Sequence, residues 1–363
     1  MIRPTILGLM AKVKKTLKVR VRDKHADILR AMSIEVNQVW NYCNDLNRHL
    51  YHQTQKYFSA FDLNYYLKGW SKTESELIGS STIQETAAVL AKSTFQHKRV
   101  LWRRSFGKRR SLGWVPFKSR AAIWRDGKVR FAGTIFDVWD SYGLAGYTFR
   151  AGQFVEDSTG RWFFCVVVEV EVNHKKAQKE VVGIDLGLEE SATTSDGDVL
   201  QSRWYRNNEE RLAKAQRAGH KKRARNIQRK TRNQRLDAHH KFSTKLVKEY
   251  QSIRVGNVSS QAMIKRKRGF AKSTLDASWA QLKTLLKYKS QQACRGYEEV
   301  NEAYTTQTCS ACGCRSGPKG LKGLRIRHWT CCECGISHDR DVNSARLIAG
   351  VGHGPQVVGI PVL

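Results

Sequence analysis

Residues 181–187, VVGIDLG, form a short apolar run with one acid in its middle. The segment that follows, SATTSDGDVLQSRWY (191–205), reads as two strand-like pieces around Asp196-Gly197, a hairpin turn signal. Downstream, a very basic helical stretch runs from about Asn208 to Tyr250, with a break near Gly219. Next come a short strand at 253–255, an amphipathic helix from about Ser273 to Cys294, a strand at 297–300 and a last helix at 342–349. Three antiparallel strands followed by helix, strand, helix, strand, helix is the element order of an RNase H-like domain. In that order the fourth strand lies between the first and fifth, and a right-handed crossover makes the fifth parallel to the fourth.

Upstream of this domain, KTLKVRVR (15–22) alternates apolar and basic residues at period two, as a half-buried strand does. From 24 to 50 the apolar residues recur at three and four, which predicts an amphipathic helix. A second helix is expected to begin at Ser81, since Ser81 and Gln84 have capping-box spacing. It would run on through Val89, Phe95, Val100 and Leu101. From about Leu112 to 172 the texture is β again. The early strand and this region are expected to close a barrel-like domain, with the helices of 24–109 inserted. A charged linker, HKKAQKE (174–180), then leads into the domain described first.

Among the 363 residues, 64 Lys plus Arg face 32 Asp plus Glu, a formal charge of +32. Self-repulsion at that imbalance calls for a polyanionic partner. No apolar run approaches the ~20 residues of a spanning helix, and Ile6 to Met10 is too short for a signal-peptide core. Nucleic acid is therefore the expected partner, with no membrane role and a cytoplasmic, nucleoid-associated location. Between Trp102 and Arg125, cations interleave with Trp102, Phe106, Trp114, Phe117 and Trp124, a pattern that suits base stacking or a β-domain core. The basic helix carries Lys221, Lys222, Arg223, Arg225, Arg229 and Arg232, which are expected to line a nucleic-acid channel. The alternative is a solvated charged helix.

Asp185 stands out chemically. A carboxylate inside an apolar strand costs several kcal/mol unless paired, and a bound cation is an economical partner; an Asp that caps a nearby turn is the alternative. Asp341 sits in HDRDVNSARLI at the start of the last helix, where capping also favours an acid. Asp339 and Asn343 flank it, and capping alone does not require all three. Of nine cysteines, six crowd between Cys309 and Cys334. Cys309-x2-Cys312 and Cys331-x2-Cys334 lie eighteen residues apart, within the spacing of structural zinc sites. Four thiolates satisfy zinc fully, so that site is expected to be closed and structural. Cys314 and Cys332 are extra thiols, and His328 and His338 are read as polar neighbours.

With the cysteine pairs placed just before Asp341, the chain resembles the TnpB family, relatives of type V CRISPR effectors. The resemblance rests on GIDLG (183–187), HHKFSTKLV (239–247), YTTQTCSACG (304–313) and WTCCECGISHDRDVNSA (329–345). KTLKVRV and GWVPFKS (113–119) add a looser match. It implies a multidomain α+β architecture with five parts. These are a wedge β-barrel (1–23 and 110–174), an inserted helical recognition domain (24–109), an RNase H-like RuvC domain (181–304 and 337–350), a zinc ribbon (305–336) and a flexible tail (351–363). The implied partners are a guide RNA from a mobile element and double-stranded DNA beside a short motif. The implied activity is DNA cutting with two Mg2+ ions held by Asp, Glu and Asp.

Asp185 and Asp341 match the first and third of these acids; the second does not match. The family carries an acid after the fourth strand, in a pattern like IVVEDL. Here the stretch is IRVGNVSS (253–260), with Gly256 where the Glu belongs. Two readings follow. One is a nuclease-inactive RNA-guided DNA-binding protein or repressor. The other, which we favour, moves the acid to Glu302, just past the fifth strand. Adjacent strands lie only ~4.8 Å apart, and Gly256 has no Cβ to obstruct a carboxylate reaching across. Glu298 and Glu299 sit earlier in the strand and are weaker candidates. A transposase that joins DNA ends is a third, less favoured reading.

Overall fold

In the computed structural model the described residues are 11–350, without 98–99, 173–176, 267–270 and 324. The tail expected at 351–363 lies outside them. The chain divides into two compact units, one of Ala11–Glu171 and one that begins at Val172.

The first unit contains β1 (Ala11–Val21), α1 (Ala26–Thr54), α2 (Ala60–Tyr66), α3 (Trp70–Thr73) and α4 (Ser80–His97). Seven strands follow: β2 (Trp114–Phe117), β3 (Ala122–Arg125), β4 (Lys128–Phe131), β5 (Thr134–Phe136), β6 (Val138–Trp139), β7 (Phe149–Glu156) and β8 (Trp162–Val172). Leu17, Val19 and Val21 are buried at period two along β1, and Leu29, Met32, Val36, Val39 and Cys43 form the inner stripe of α1. Both elements join one hydrophobic core with α4 and the later strands.

The expected barrel does not close. The strands form an open sheet in the order β2-β7-β8-β1-β6 and a separate three-stranded sheet, β3-β4-β5. Because β3 to β5 pair with one another, they do not bridge the open edges β2 and β6. Phe117, Phe131, Phe154 and Phe164 fill the interior, with ring centroids 5.0–6.0 Å apart. The interleaved aromatics split accordingly. Phe117 is fully buried and Trp114 and Trp124 pack on the core, while Trp102 and Phe106 are exposed.

Ser81 does not cap α4. It lies in the first turn, where its Oγ accepts from the Lys118 N–H at 3.0 Å, while Gln84 accepts from Lys118 Nζ at 2.8 Å. The pair ties down the segment after β2 instead, and Val100 and Leu101 are not helical. A capping box does form at Ser59 and Asp62, opening α2.

The second unit contains β9 (Lys179–Asp185), β10 (Glu190–Thr194), β11 (Val199–Gln201), α5 (Glu209–Arg217), α6 (Lys221–Glu249) and β12 (Tyr250–Gly256). Then come α7 (Ser260–Arg266), α8 (Ala271–Ala277), α9 (Trp279–Gln292), β13 (Gly296–Val300) and α10 (Gly320–Gly323). The unit ends with β14 (His328–Thr330), β15 (Ser337–Asp339) and α11 (Arg340–Ala349). Its sheet runs β11-β10-β9-β12-β13. Strands β9 to β11 are antiparallel, and β12 pairs parallel with both β9 and β13. The fourth strand thus lies between the first and fifth. Gly197 and Gly219 take positive φ at the expected turn and helix break. The helix expected from 273 to 294 is split at Ser278, whose φ of +54° interrupts it.

Val182, Ile184, Ile253 and Val255 pack under Leu246, Trp279, Leu282 and Leu286. On β9, Gly183 faces α11 so closely that a Cβ there would meet the Ala345 carbonyl and, at 2.5 Å, the Ala349 nitrogen. A glycine is required for that approach.

Candidate active site

Asp185 ends β9, pairs across the sheet with Thr193 and is partly buried. Its carboxyl is pushed up to about 8, first by burial, then by the negative charges of Asp341 and Glu302. Arg340 and Arg327 pull in the opposite direction. Asp341 and Glu302 thus lie near enough to Asp185 to act on its charge.

Glu302 lies two residues beyond β13 and is partly buried. Its carboxylate rests against Gly256, at the end of the neighbouring parallel strand. A Cβ on Gly256 would collide with Glu302 Oε2 and would lie 3.5 Å from Ile348. Burial raises the Glu302 pKa, opposed by Lys283 and by a hydrogen bond from the Val258 backbone. Glu298 and Glu299 are engaged elsewhere, with Arg254 at 3.3 Å and Lys283 at 2.9 Å respectively.

Asp341 is in the first turn of α11 but does not cap it. Asp339 is the cap, accepting from the Asp341 and Val342 N–H groups at 3.0 and 2.9 Å. That leaves the Asp341 carboxylate to pair with Arg340 at 3.0 Å and with Arg327. Arg327 also reaches Glu189, which in turn bonds Arg203 at 3.2 Å. Sequence reading missed Arg327; it sits in a basic loop whose only signal was charge. Asn343, the third polar residue of the motif, faces away from the acids. It accepts from the Ser310 N–H at 2.8 Å and donates to the Thr305 and Thr308 carbonyls at 3.2 and 2.7 Å. It thereby pins the first cysteine turn to α11.

Cys309, Cys312, Cys331 and Cys334 present four sulfurs that all lie within 4.8 Å of one another. The Cys309–Cys334 and Cys312–Cys331 separations are 3.7 and 3.6 Å. Zn–S bonds of ~2.3 Å at tetrahedral angles put sulfurs ~3.8 Å apart, so the cluster fits such an ion. His338 Nε2 lies 3.0 Å from the Cys309 sulfur and orients it from outside the set of four. Asp185, Glu302 and Asp341 offer the hard oxygen donors that magnesium takes, but unlike the four sulfurs their oxygens do not gather within 4.8 Å of one another.

On α6, Lys221, Lys222, Arg223, Arg225 and Arg232 are exposed and Arg229 is half-buried. Lys221, Lys222 and Arg223 border an open hollow of about 620 Å³ with Arg211, His220 and Lys230. Arg235 turns inward to the buried Asp276 at 3.6 Å. Among the described residues no helix is long and apolar enough to cross a membrane.

Two family models match the chain: "Probable transposase" (OrfB_IS605) over residues 163–267, and "Cas12f1-like, TNB domain" over residues 279–348. A Streptomyces pristinaespiralis protein named "Putative RNA-guided DNA endonuclease" is 28% identical over 370 residues, 95% of this chain and 90% of that protein. An Escherichia coli (strain K12) protein of the same name, with the addition InsQ, is 31% identical over 231 residues, 55% of this chain and 56% of its own length. Among solved structures, a Cas12f1–sgRNA–target DNA complex superposes with a TM-score of 0.39 at 13% identity, covering 93% of this chain and 99% of that one.

Proposed function

We propose that this chain, which resembles the TnpB family and whose relatives carry the name RNA-guided DNA endonuclease, cuts DNA under RNA guidance at the Asp185–Glu302–Asp341 site. The observation that carries this reading is the approach of Glu302 to Gly256. A carboxylate fills, from the next parallel strand, the space left where the resemblance expects a glutamate. The strand order of the second unit is that of an RNase H-like sheet, and ends of parallel strands are where sites form in such sheets.

Asp185, Glu302 and Asp341 would hold Mg2+, which when bound supplies an activated water and charge stabilisation at the leaving oxygen. The chain's own groups prepare for it. Burial and the charges of Asp341 and Glu302 hold a proton on Asp185, and that proton must leave when a cation enters. Arg327 keeps a positive charge at the rim, where it would face a phosphate. The basic face of α6 would track the nucleic-acid backbone, and Cys309, Cys312, Cys331 and Cys334 would hold a structural zinc.

The domain reading assigns 1–23 and 110–174 to a wedge and 24–109 to a recognition domain. It assigns 181–304 with 337–350 to the nuclease and 305–336 to the zinc ribbon. The test is cleavage of a plasmid matched to the RNA that co-purifies with the chain. Mg2+-dependent cutting that disappears in Asp185→Ala and in Glu302→Ala is the expected result. Guided binding with no cutting by the unaltered chain would instead establish the nuclease-inactive reading.

A further inference from the structure

The two cysteines left over from the four-sulfur cluster are not scattered. Cys314 follows the first cysteine turn and its carbonyl accepts from the Cys309 N–H at 2.8 Å, closing that turn. Cys332 sits inside the second pair. The Cys314 and Cys332 sulfurs and a carboxylate oxygen of Glu333 all lie within 4.8 Å of one another. Cys314 is half-buried, and Cys332 and Glu333 are exposed. The cluster therefore opens to solvent, whereas two of the four sulfur ligands beside it, those of Cys309 and Cys331, belong to buried residues.

We propose that Cys314, Cys332 and Glu333 form a second metal site, for a thiophilic divalent cation such as Zn2+ or Cd2+, beside the four-cysteine cluster. Two thiolates and one carboxylate suit a soft or borderline cation and not magnesium. Three protein ligands leave a fourth tetrahedral position for water, so this site is open and exchangeable where its neighbour is closed. The ligands come from both cysteine turns, so the ion cross-links them a second time. The thiol protons of Cys314 and Cys332 are released to solvent as the two metal–sulfur bonds form. No oxidant takes part.

The test uses the full chain, purified under reductant, saturated with Zn2+ and desalted, with metal per chain measured by elemental analysis. We expect about two zinc ions per chain, and about one in Cys314→Ser/Cys332→Ser, which keeps the closed cluster intact. A Co2+ titration adds a second readout: the second equivalent should build a thiolate charge-transfer band distinct from the first. Glu333→Gln, an exposed substitution, should keep both ions at saturation but weaken the second about tenfold against a competing chelator. One zinc ion per unaltered chain overturns the proposal, as do equal stoichiometries in chain and double variant, or a Cys314–Cys332 disulfide that excludes the second ion.

Discussion

The carboxylate site and the four-cysteine cluster are built in opposite ways. Each half of the cysteine cluster comes from one local turn, so its ligands are tied by a spacing of three residues. The acids come from the end of β9, the segment after β13 and the first turn of α11, elements distant in sequence that only the tertiary fold relates. A local site tolerates no migration of a ligand, because each turn fixes its own pair. A site made by neighbouring strands does tolerate it, because the next strand offers a second position ~4.8 Å away. On the proposed reading, Gly256 and Glu302 are that exchange.

The largest effect should come from the acid that cannot move. Asp185→Ala is expected to lower cleavage on the order of a thousandfold or more while RNA-guided DNA binding, read by mobility shift, persists. Cutting at the unaltered rate would remove Asp185 from the site. Next is the acid proposed to have moved. Gly256→Ala puts a methyl group against the Glu302 carboxylate and should reduce cleavage about tenfold with little change in melting temperature. Gly256→Glu combined with Glu302→Ala should restore part of what Glu302→Ala alone loses. If the combination is as inactive as the single variant, the two positions are not interchangeable.

On the cysteine side, Asn343→Ala removes three hydrogen bonds that anchor the first turn. The loss should be about 1–3 kcal/mol of stability, measured by thermal melting, together with easier removal of zinc by a chelator.

The carboxylate site should also impose a pH slope. Asp185 titrates near 8 in the folded chain against an ordinary 3.8. Between those values the folded state holds a proton that the unfolded chain has lost. The metal-free chain should therefore lose stability as pH rises from about 4 to about 8. Asp185→Asn should flatten that slope, and Mg2+ should oppose it in the unaltered chain. A slope identical in Asp185→Asn would assign it to other groups.

The same contrast explains what was legible in the sequence. The cysteine pairs, the hairpin at Gly197 and the break at Gly219 are local signals with local causes. Asp185 was legible because an acid in an apolar strand violates its surroundings. Glu302 was reachable only through a topology, since nothing in its own neighbourhood marks it. Arg327 was not legible, because one arginine in a basic loop looks like the others. Ser81 and Gln84 have capping spacing, but Lys118 competes for both side chains, a tertiary contact that no window of sequence contains. The barrel failed for a similar reason: alternation identifies strands but not which edges meet.

The hairpin of β14 and β15 has one further consequence. It carries Cys331 and Cys334 in its turn, Arg327 just before its first strand and Asp341 just after its second. The Arg327 carbonyl accepts from the Arg340 N–H at 2.7 Å, which draws its two ends together. Mechanical slack in the sulfur-bound tip must therefore propagate to the stem, where the guanidinium meets the acid. Stripping the cluster would leave Asp185 and Asp341 at their separation, fixed by the tight seat of α11 on Gly183, yet would set their counter-charge adrift.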